Sequence, residues 1–426
     1  MGRTVRGRVE AAGEDLFFDE KAYVREVIER IVRECPRRQA TSEDERKAQA
    51  IVEAELRRLG LPVEYREFRF NDNLYANLAL HTGLGTLGTL VSPISPMAAL
   101  LMHLTAGLSY LADSTRKGYF LRRLLGFKPS QNLLAVMKAE GEPRLRVVIT
   151  AHIDAAFTGW IFNPSLVKML SAAHLPKGLE FLGRSVAIAT FSQFPLAAID
   201  LLRIVFGRVL TAPLRPVETI LTVPSALGFF LNMQVVLRNE VVPGANDDLS
   251  GVAGLLVLAR RLAHKKRPDV EYVFAVTGCE EASLGGGDAL ARQMNGIWDK
   301  ERTVILGLDM LSNGDLHFLE GEGEVIRTWI PKWLGDLARE VAASDPRFAE
   351  VKGFRVDIGG SDVAAFLARG YEGLCLACID PKVGMPRHYH SPHDTPENLD
   401  YDKIALGIDY AERLVRAIVE RRCGEY

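Results

Sequence analysis

Cysteine and net charge are both scarce in this chain of 426 residues. The five cysteines are scattered and odd in number, which argues against a disulfide framework. Cys375 and Cys378 form a C-x-x-C pair, but their apolar surroundings predict a buried strand rather than a redox or zinc site. The 52 basic and 54 acidic residues nearly cancel, so we expect no nucleic-acid partner. The amino terminus lacks the apolar core of a secretion signal, and we therefore expect a cytoplasmic protein.

Short apolar strands alternate with amphipathic helices through much of the chain, which predicts an α/β fold. Helices 251–263 and 287–295 follow this alternation, and a capping box at Ser42–Glu45 predicts another helix ending near Leu59. The predicted strands are residues 63–70, 131–138, 146–152, 271–277, 303–308 and 373–379.

Two apolar stretches, residues 71–128 and 156–238, interrupt this alternation. Without them 285 residues remain, which is the size of one α/β domain. We therefore interpret residues 1–426 as a single catalytic domain with two mainly helical insertions. Each insertion could be a cap, a dimer surface or a membrane contact. Charged residues such as Arg203 interrupt the second insertion, so we favour a cap or dimer surface over membrane association.

A glycine pattern in the first insertion resembles a dinucleotide-binding loop. Gly83, Gly85 and Gly88 match G-x-G-x-x-G, but Pro93 and Pro96 follow where that loop requires a helix. No acidic residue lies about 20 positions further on, so we interpret the segment as flexible or tightly packed glycine rather than a nucleotide site.

Histidines and carboxylates gather at the ends of the predicted strands. Taken singly, each of these segments could be a helix cap or a polar turn. Together they offer two histidines, three carboxylates and a spare glutamate, a set without thiolate that suits zinc, with Mn²⁺ or Co²⁺ as alternatives. The segments are Thr150-Ala-His152-Ile-Asp154, Gly244-Ala-Asn-Asp247-Asp248-Leu-Ser-Gly251, Glu280-Glu281, Asp309, and His388-Tyr-His390-Ser-Pro-His393-Asp394.

In this order, the segments resemble the motifs of the co-catalytic dizinc aminopeptidases of peptidase family M28. The resemblance implies a mixed, mostly parallel sheet flanked by helices, and two zinc ions. It implies that Asp247 bridges both ions, that Glu281 and His390 complete one site, and that His152 and Asp309 complete the other. It further implies that Glu280 is the general base and that Asp154 orients His152.

The resemblance also predicts details outside the ligand set. The bond between Asp247 and Asp248 is a candidate cis peptide. Residues 359–362 resemble the family's G-x-S-D-H segment, but Val363 stands where histidine is common, so we assign that segment no substrate role. Both insertions should emerge beside the metal site, since each one joins strand ends or loops that the resemblance places there.

These inferences predict a metallo-aminopeptidase that hydrolyses the amino-terminal bond of short peptides. The alternatives are a hydrolase of a non-peptide amide, such as an N-acyl amino acid, and a membrane-associated or interaction protein that keeps the metal site. The expected partner is a small peptide or amide substrate, and homo-oligomers are compatible with the sequence.

Overall fold

The computed structural model describes residues 18–163, 165, 167, 168, 183–382 and 384–424. Over this part of the chain, nine strands form one sheet in the order β1-β2-β4-β3-β5-β9-β6-β7, with β8 paired to β6. The four central strands β4, β3, β5 and β9 are parallel, and antiparallel strands flank them on both sides. The strands are β1 (Val63–Phe70), β2 (Lys128–Met137), β3 (Leu145–His152), β4 (Val270–Thr277), β5 (Thr303–Leu308), β6 (Asp315–Glu322), β7 (Thr328–Trp329), β8 (Lys352–Arg355) and β9 (Glu372–Ile379).

Helices cover the sheet and also form a separate bundle. The central sheet is fully buried between them, with Val147, Ile149, Phe274 and Leu306 at 0% exposure. The helices are α1 (Glu20–Glu34), α2 (Glu43–Arg58), α3 (Leu74–Val91), α4 (Pro96–Ser114), α5 (Ser185–Phe191), α6 (Gln193–Thr211), α7 (Arg215–Arg238), α8 (Leu249–Ala263), α9 (Gly285–Gln293), α10 (Lys332–Ser344), α11 (Asp362–Leu367) and α12 (Tyr401–Cys423).

The predicted α/β fold class is confirmed, and the predicted strands agree with the structure to within a few residues. The capping box forms as expected, since the Ser42 hydroxyl accepts from the Glu45 amide. The Glu45 carboxylate accepts in return from Thr41 N, and also from the amide of Cys279 beyond β4. This cap therefore ties α2 to the end of the sheet where the polar segments gather.

The two insertions form a module of their own, which we call the helical module and define as residues 74–114 and 185–238. Helices α3 and α4 form one hairpin, and α6 and α7 form a second one that packs against it. The turns of both hairpins meet where Arg208 donates to the carbonyl of Ile94. The opposite end of the module adjoins the sheet, because α3 follows β1 directly and α7 leads into the loop before α8.

The glycine pattern of the first insertion lies inside α3, not in a loop. Gly85 faces Gln193 of α6 so closely that a Cβ there would lie 2.4 Å from the Gln193 side-chain oxygen. Gly88 faces His103 of α4 in the same way, at 2.7 Å. The glycines therefore allow close helix packing, and the expectation of a flexible segment was wrong while that of tight packing holds.

A buried arginine joins the first insertion to the loop after β4. Arg122 is 0% exposed, binds both carboxylate oxygens of Asp113 at 2.8 Å and donates to the carbonyl of Ala282 at 2.7 Å. Both charges of this pair lie out of water, so each depends on the other for compensation.

We predict that Arg122→Met lowers the free energy of unfolding by about 3–5 kcal/mol, because it leaves the Asp113 carboxylate buried and unpaired. Urea unfolding followed by circular dichroism measures this change. Arg123→Met is the matched control, since Arg123 is exposed, and it should change stability by less than about 0.5 kcal/mol. Equal stability of the two variants would show that the buried pair contributes nothing.

Candidate metal centre

Three neighbouring strands deliver polar side chains to one edge of the sheet. His152 is the last residue of β3, Glu280 and Glu281 follow β4, and Asp309 follows β5 directly. These strands are parallel, with His152 opposite Thr277 and Thr150 opposite Gly307, so their carboxyl ends lie side by side. The carboxyl ends of parallel strands are the usual place for a site in such sheets.

Two loops complete the cluster. Asp247 lies in the turn before α8, and the Asp247–Asp248 peptide bond is cis, as the sequence analysis proposed. His390 lies in the turns after β9 with a positive φ of 48°. Of the three histidines in that segment, His390 is buried, whereas His393 is exposed and His388 is half-buried.

The six side chains lie within a few ångströms of one another. His152 Nε2 lies 3.1 Å from Asp247 Oδ1, and 4.0 Å from both Glu280 Oε2 and Asp309 Oδ1. On the other side of Asp247, its Oδ2 lies 3.2 Å from His390 Nε2, which is 3.3 Å from Glu281 Oε2. Asp247 therefore stands between two histidines.

Possible ligand atoms fall into sets that each fit one ion, with all atoms in a set within 4.8 Å of one another. One set is His152, Asp247 and Asp309, and a second is Asp247, Glu281 and His390. Asp247 belongs to both sets, as the resemblance implied for a bridging carboxylate. A third set joins His152 to Glu280 and Glu281 and places Glu280 beside the others.

Burial and the neighbouring charges shift the pKa values of these groups. Burial, with nearby carboxylates, raises the pKa of Asp309 to about 8 and also raises the pKa of Glu281. Burial alone would lower the pKa of His390, but Glu281 and Asp247 raise it to about 10. Burial raises the pKa of Asp247, but bonds to the two histidines outweigh it and hold the pKa well below its usual range. Negative charge is thus in excess at this centre.

The hydrogen bonding shows which atoms have spare capacity. Among the described residues, the buried carboxylate oxygens without a well-aligned hydrogen bond are Asp247 Oδ2, Glu281 Oε1 and Asp309 Oδ1, although His390 Nε2 lies 3.2 Å from the first of them. All three belong to the two ligand sets. A buried anionic oxygen with no donor is costly, and a divalent cation would satisfy it. The nitrogen and oxygen donors, with no thiolate, fit Zn²⁺.

Asp154 lies beside His152, where the resemblance implies a residue that orients this imidazole, and it also holds the turn after β4. Its carboxylate is 3.6 Å from His152 Nδ1, whereas its backbone carbonyl is 3.1 Å from that nitrogen. The carboxylate also accepts from the amides of Glu280 and Glu281, at 3.0 Å each. The turn after β4 directs both amides at Asp154, so this side chain holds the Glu280–Glu281 turn and its carbonyl orients His152.

Two further aspartates hold the backbone of the centre. Asp248 accepts from the amides of His152, Gly251 and Met310, which ties together β3, α8 and the turn after β5. Asp394 accepts from the amides of Asn246 and Asp247. Both residues were within the quoted motifs, but the motifs did not indicate that they bind backbone amides.

Three aromatic side chains surround His390, and the sequence did not predict their contacts with it. The Tyr75 hydroxyl lies 3.1 Å from His390 Nδ1, so α3 of the helical module orients this imidazole. The ring of Tyr389 stacks on His390 at 3.8 Å, and that of Phe162 lies at 4.5 Å. Tyr75 and Phe162 belong to the two insertions, which therefore both reach the centre. No spacing pattern connects these residues with position 390.

The segment with valine in place of histidine is structural. Val363 is fully buried in the core beside Gly307 and Gly373 of the sheet. Its neighbour Asp362 accepts from the amide of Gly287 at the start of α9 and from the Thr277 hydroxyl at the end of β4. Asp362 thus fixes the end of the strand that leads to Glu280.

The sheet and the cluster at its edge define a protein with the zinc-exopeptidase fold and a candidate metal centre. Residues 232–414 match the family model described as Peptidase family M28, which confirms the resemblance seen in the motifs. That segment holds every proposed metal-centre residue except His152 and Asp154.

Solved structures show the same fold over nearly the whole chain. A zinc aminopeptidase from Bacillus subtilis is 15% identical, with 94% of this chain and 95% of that chain covered and a TM-score of 0.52. An aminopeptidase from Aneurinibacillus sp. strain AM-1 is 16% identical, with 94% and 93% covered and a TM-score of 0.52. A glutaminyl cyclase from an Acidobacteriales bacterium is 14% identical, with 94% and 95% covered and a TM-score of 0.55.

We predict that chelation destabilises the protein and that added zinc restores it, because the ion satisfies the buried carboxylate oxygens. At zinc about 100-fold above its Kd, the gain is about 2.7 kcal/mol. Differential scanning calorimetry on chelated and zinc-loaded protein measures it. His390→Ala should lose much of the gain, whereas the exposed His393→Ala should keep it. A gain that zinc fails to produce in the unmutated protein would contradict this site.

Proposed function

We propose that the protein is a dizinc aminopeptidase, with Glu280 as the general base. The observation that carries this proposal is the position of Glu280, which is buried beside both ligand sets but belongs to neither of them. The ligand sets supply two cation sites that share Asp247. Glu280 is the sixth group of the centre, and in this position it is free to accept and donate protons.

Five residues would act as metal ligands, and Glu280 would act as the general base. His152 and Asp309 would hold one zinc ion, Glu281 and His390 the other, and Asp247 both. When bound, the ions supply a Lewis acid that polarises the scissile carbonyl and acidifies water. Burial, together with Glu281 and other carboxylates, raises the pKa of Glu280 well above its usual range in the metal-free centre. Glu280 accepts a proton from the attacking water and donates it to the leaving amine.

The charges around the centre favour a substrate with a free amino group. Among the described residues, the ion pairs that involve the centre join only histidines and carboxylates. Arg38 lies beneath it, but its guanidinium is 0% exposed and donates to the carbonyls of Ile153 and Gly244. It therefore cannot meet a substrate carboxylate, which a carboxypeptidase would have to bind.

We predict that Glu280→Gln lowers kcat for amino-acid anilides by about 100- to 10,000-fold, since the amide cannot accept the proton. Zinc content should stay unchanged, because Glu280 is not in either main ligand set. Glu281→Gln is the contrasting variant, and it should lose zinc as well as activity. Full activity of Glu280→Gln at equal zinc content would reject the assignment of the base.

A glutamine anilide separates this proposal from cyclisation, the reaction named for some structural neighbours. Hydrolysis releases free aniline and glutamine, whereas cyclisation releases ammonia and keeps the anilide bond. We predict release of aniline, measured by absorbance, with ammonia assayed in parallel. Ammonia without aniline would replace the peptidase proposal with a cyclase. Hydrolysis of N-acyl amino acids, with neither aniline nor ammonia formed from the glutamine anilide, would favour a hydrolase of non-peptide amides.

The dizinc arrangement has its own test. We predict about two zinc ions per chain, about one in Asp309→Ala and fewer than one in Asp247→Ala, because Asp247 serves both sets. Inductively coupled plasma mass spectrometry on the desalted protein gives these ratios. Asp402→Ala is a control, since Asp402 is exposed and pairs with Lys21 far along the chain. One zinc ion in the unmutated protein would contradict the arrangement.

A further inference from the structure

The helical module has the reverse of the polarity that a water-soluble bundle has. Its interior holds charged and polar side chains, and its exterior is apolar. Interior residues with less than 10% exposure include Ser92, His103, Gln193, Asp200, Arg203, Glu218 and Ser225. Proteins that fold in water bury apolar side chains and expose polar ones.

The interior charges Asp200, Arg203 and Glu218 are paired with one another or with His103. Arg203 binds Glu218 through two bonds, Nη1 to Oε1 at 2.7 Å and Nη2 to Oε2 at 2.8 Å. Asp200 lies 2.8 Å from His103 Nδ1, and the Ser92 hydroxyl contacts both Asp200 and Arg203. This network crosses from α3 and α4 to α6 and α7, so it joins the two hairpins. Ionisable groups that face the bundle interior and pair there are typical of helices in lipid.

The exterior of the module carries most of the exposed apolar surface of the protein. Of the 26 large apolar side chains that are exposed among the described residues, 20 belong to the module. They occur on all four long helices, for example Leu90 on α3, Leu101 on α4, Val205 on α6 and Phe230 on α7. Soluble monomers rarely expose contiguous apolar surface of this extent.

The charges of the module are either buried or at its ends. Asp113, Asp200, Arg203 and Glu218 are buried. The remaining three are exposed: Arg208 and Arg215 lie at the turn between α6 and α7, and Arg238 ends α7. Between these ends, the exterior has no charge over the length of the helices.

The length of the uncharged body matches a bilayer. Helices α3, α4 and α7 have 18, 19 and 24 residues, which at 1.5 Å per residue gives about 27, 29 and 36 Å. The hydrocarbon core of a bilayer is about 30 Å thick. By length and composition the stretch Ser185–Arg238 also qualifies as a candidate span, and 17% of its most apolar window is buried.

We propose that the helical module is embedded in a lipid bilayer, with the turns of its hairpins at the far surface and the catalytic domain at the near one. A second copy of the chain would cover one side of the bundle, whereas the exposed apolar side chains lie on all four helices. A lipid phase covers every side. Arginines at the far end can reach headgroups there, and the paired interior charges need no water.

The near end of the module has the residues of a membrane interface. Trp160 is 65% exposed, and its amide donates to Gln234 in the last turns of α7. Phe120 and Leu124 are exposed beside Arg123, in a segment that the Leu121 amide ties to Ser109 of α4. Tryptophan and basic side chains concentrate at the boundary between lipid and water, so these residues mark the near surface.

Flotation of the full-length protein tests the proposal. The protein is reconstituted from detergent into phosphatidylcholine vesicles, washed with carbonate at about pH 11 and floated on a sucrose gradient. We expect the unmutated protein to float with the vesicles. Leu227→Lys/Phe230→Lys places two charges on the lipid-facing side of α7, and it should reduce the floated fraction by about tenfold or more.

The control and the contrary outcomes are equally specific. Ile297→Lys/Trp329→Lys adds the same charge at exposed apolar positions of the catalytic domain and should float like the unmutated protein. Recovery of unmutated protein at the bottom of the gradient overturns the proposal whatever the variants do. A discrete dimer in detergent-free buffer, measured by light scattering, would overturn it in favour of a second copy. Zinc content of each variant in detergent confirms that it is folded.

Discussion

The structure depends on the confinement of four acidic side chains and two imidazoles in one buried volume. Asp247, Glu280, Glu281 and Asp309 would repel one another in any compact arrangement without positive charge between them. The protein nevertheless builds the cluster from three strand ends and two loops, and fixes each part with bonds from backbone amides. Asp154, Asp248 and Asp394 together accept from seven amides around the centre. These seven bonds hold the backbone around the centre through residues that do not belong to the two ligand sets.

The helical module contacts the metal centre in addition to forming an exposed apolar surface. Tyr75 in the first turn of α3 holds His390, and Phe162 packs on the same ring from the second insertion. Arg122 anchors the first insertion to the loop that follows Glu281. A displacement of the module would therefore shift His390 and the loop that follows Glu281. The placement of the module and the geometry of the metal centre are consequently linked through short chains of contacts.

Sequence reasoning succeeded where the information is local and failed where it is not. The strands β3, β4 and β5 are apolar runs that end in a polar residue, so both their positions and the gathering of His152, Glu280 and Asp309 could be predicted. Strands β6 and β8 were not predicted, since β6 mixes apolar with charged residues and β8 has only four residues. The contact of Tyr75 with His390 could not be predicted because 315 residues separate the two in the sequence. The H-x-D spacing placed Asp154 beside His152, but it could not show that the same carboxylate also accepts from the amides of Glu280 and Glu281.

The buried polar cluster in the helical module and the one at the sheet edge differ in whether their charges are satisfied. This difference separates a cluster that stabilises the fold from one that can bind an ion. In the module, Arg203, Glu218, Asp200 and His103 satisfy one another, so the cluster needs no further partner and serves to join helices. At the sheet edge, three buried carboxylate oxygens lack a well-aligned hydrogen bond. Composition does not distinguish the clusters, since both combine carboxylates with histidine. What distinguishes them is the unsatisfied negative charge at the sheet edge, which a bound cation would stabilise.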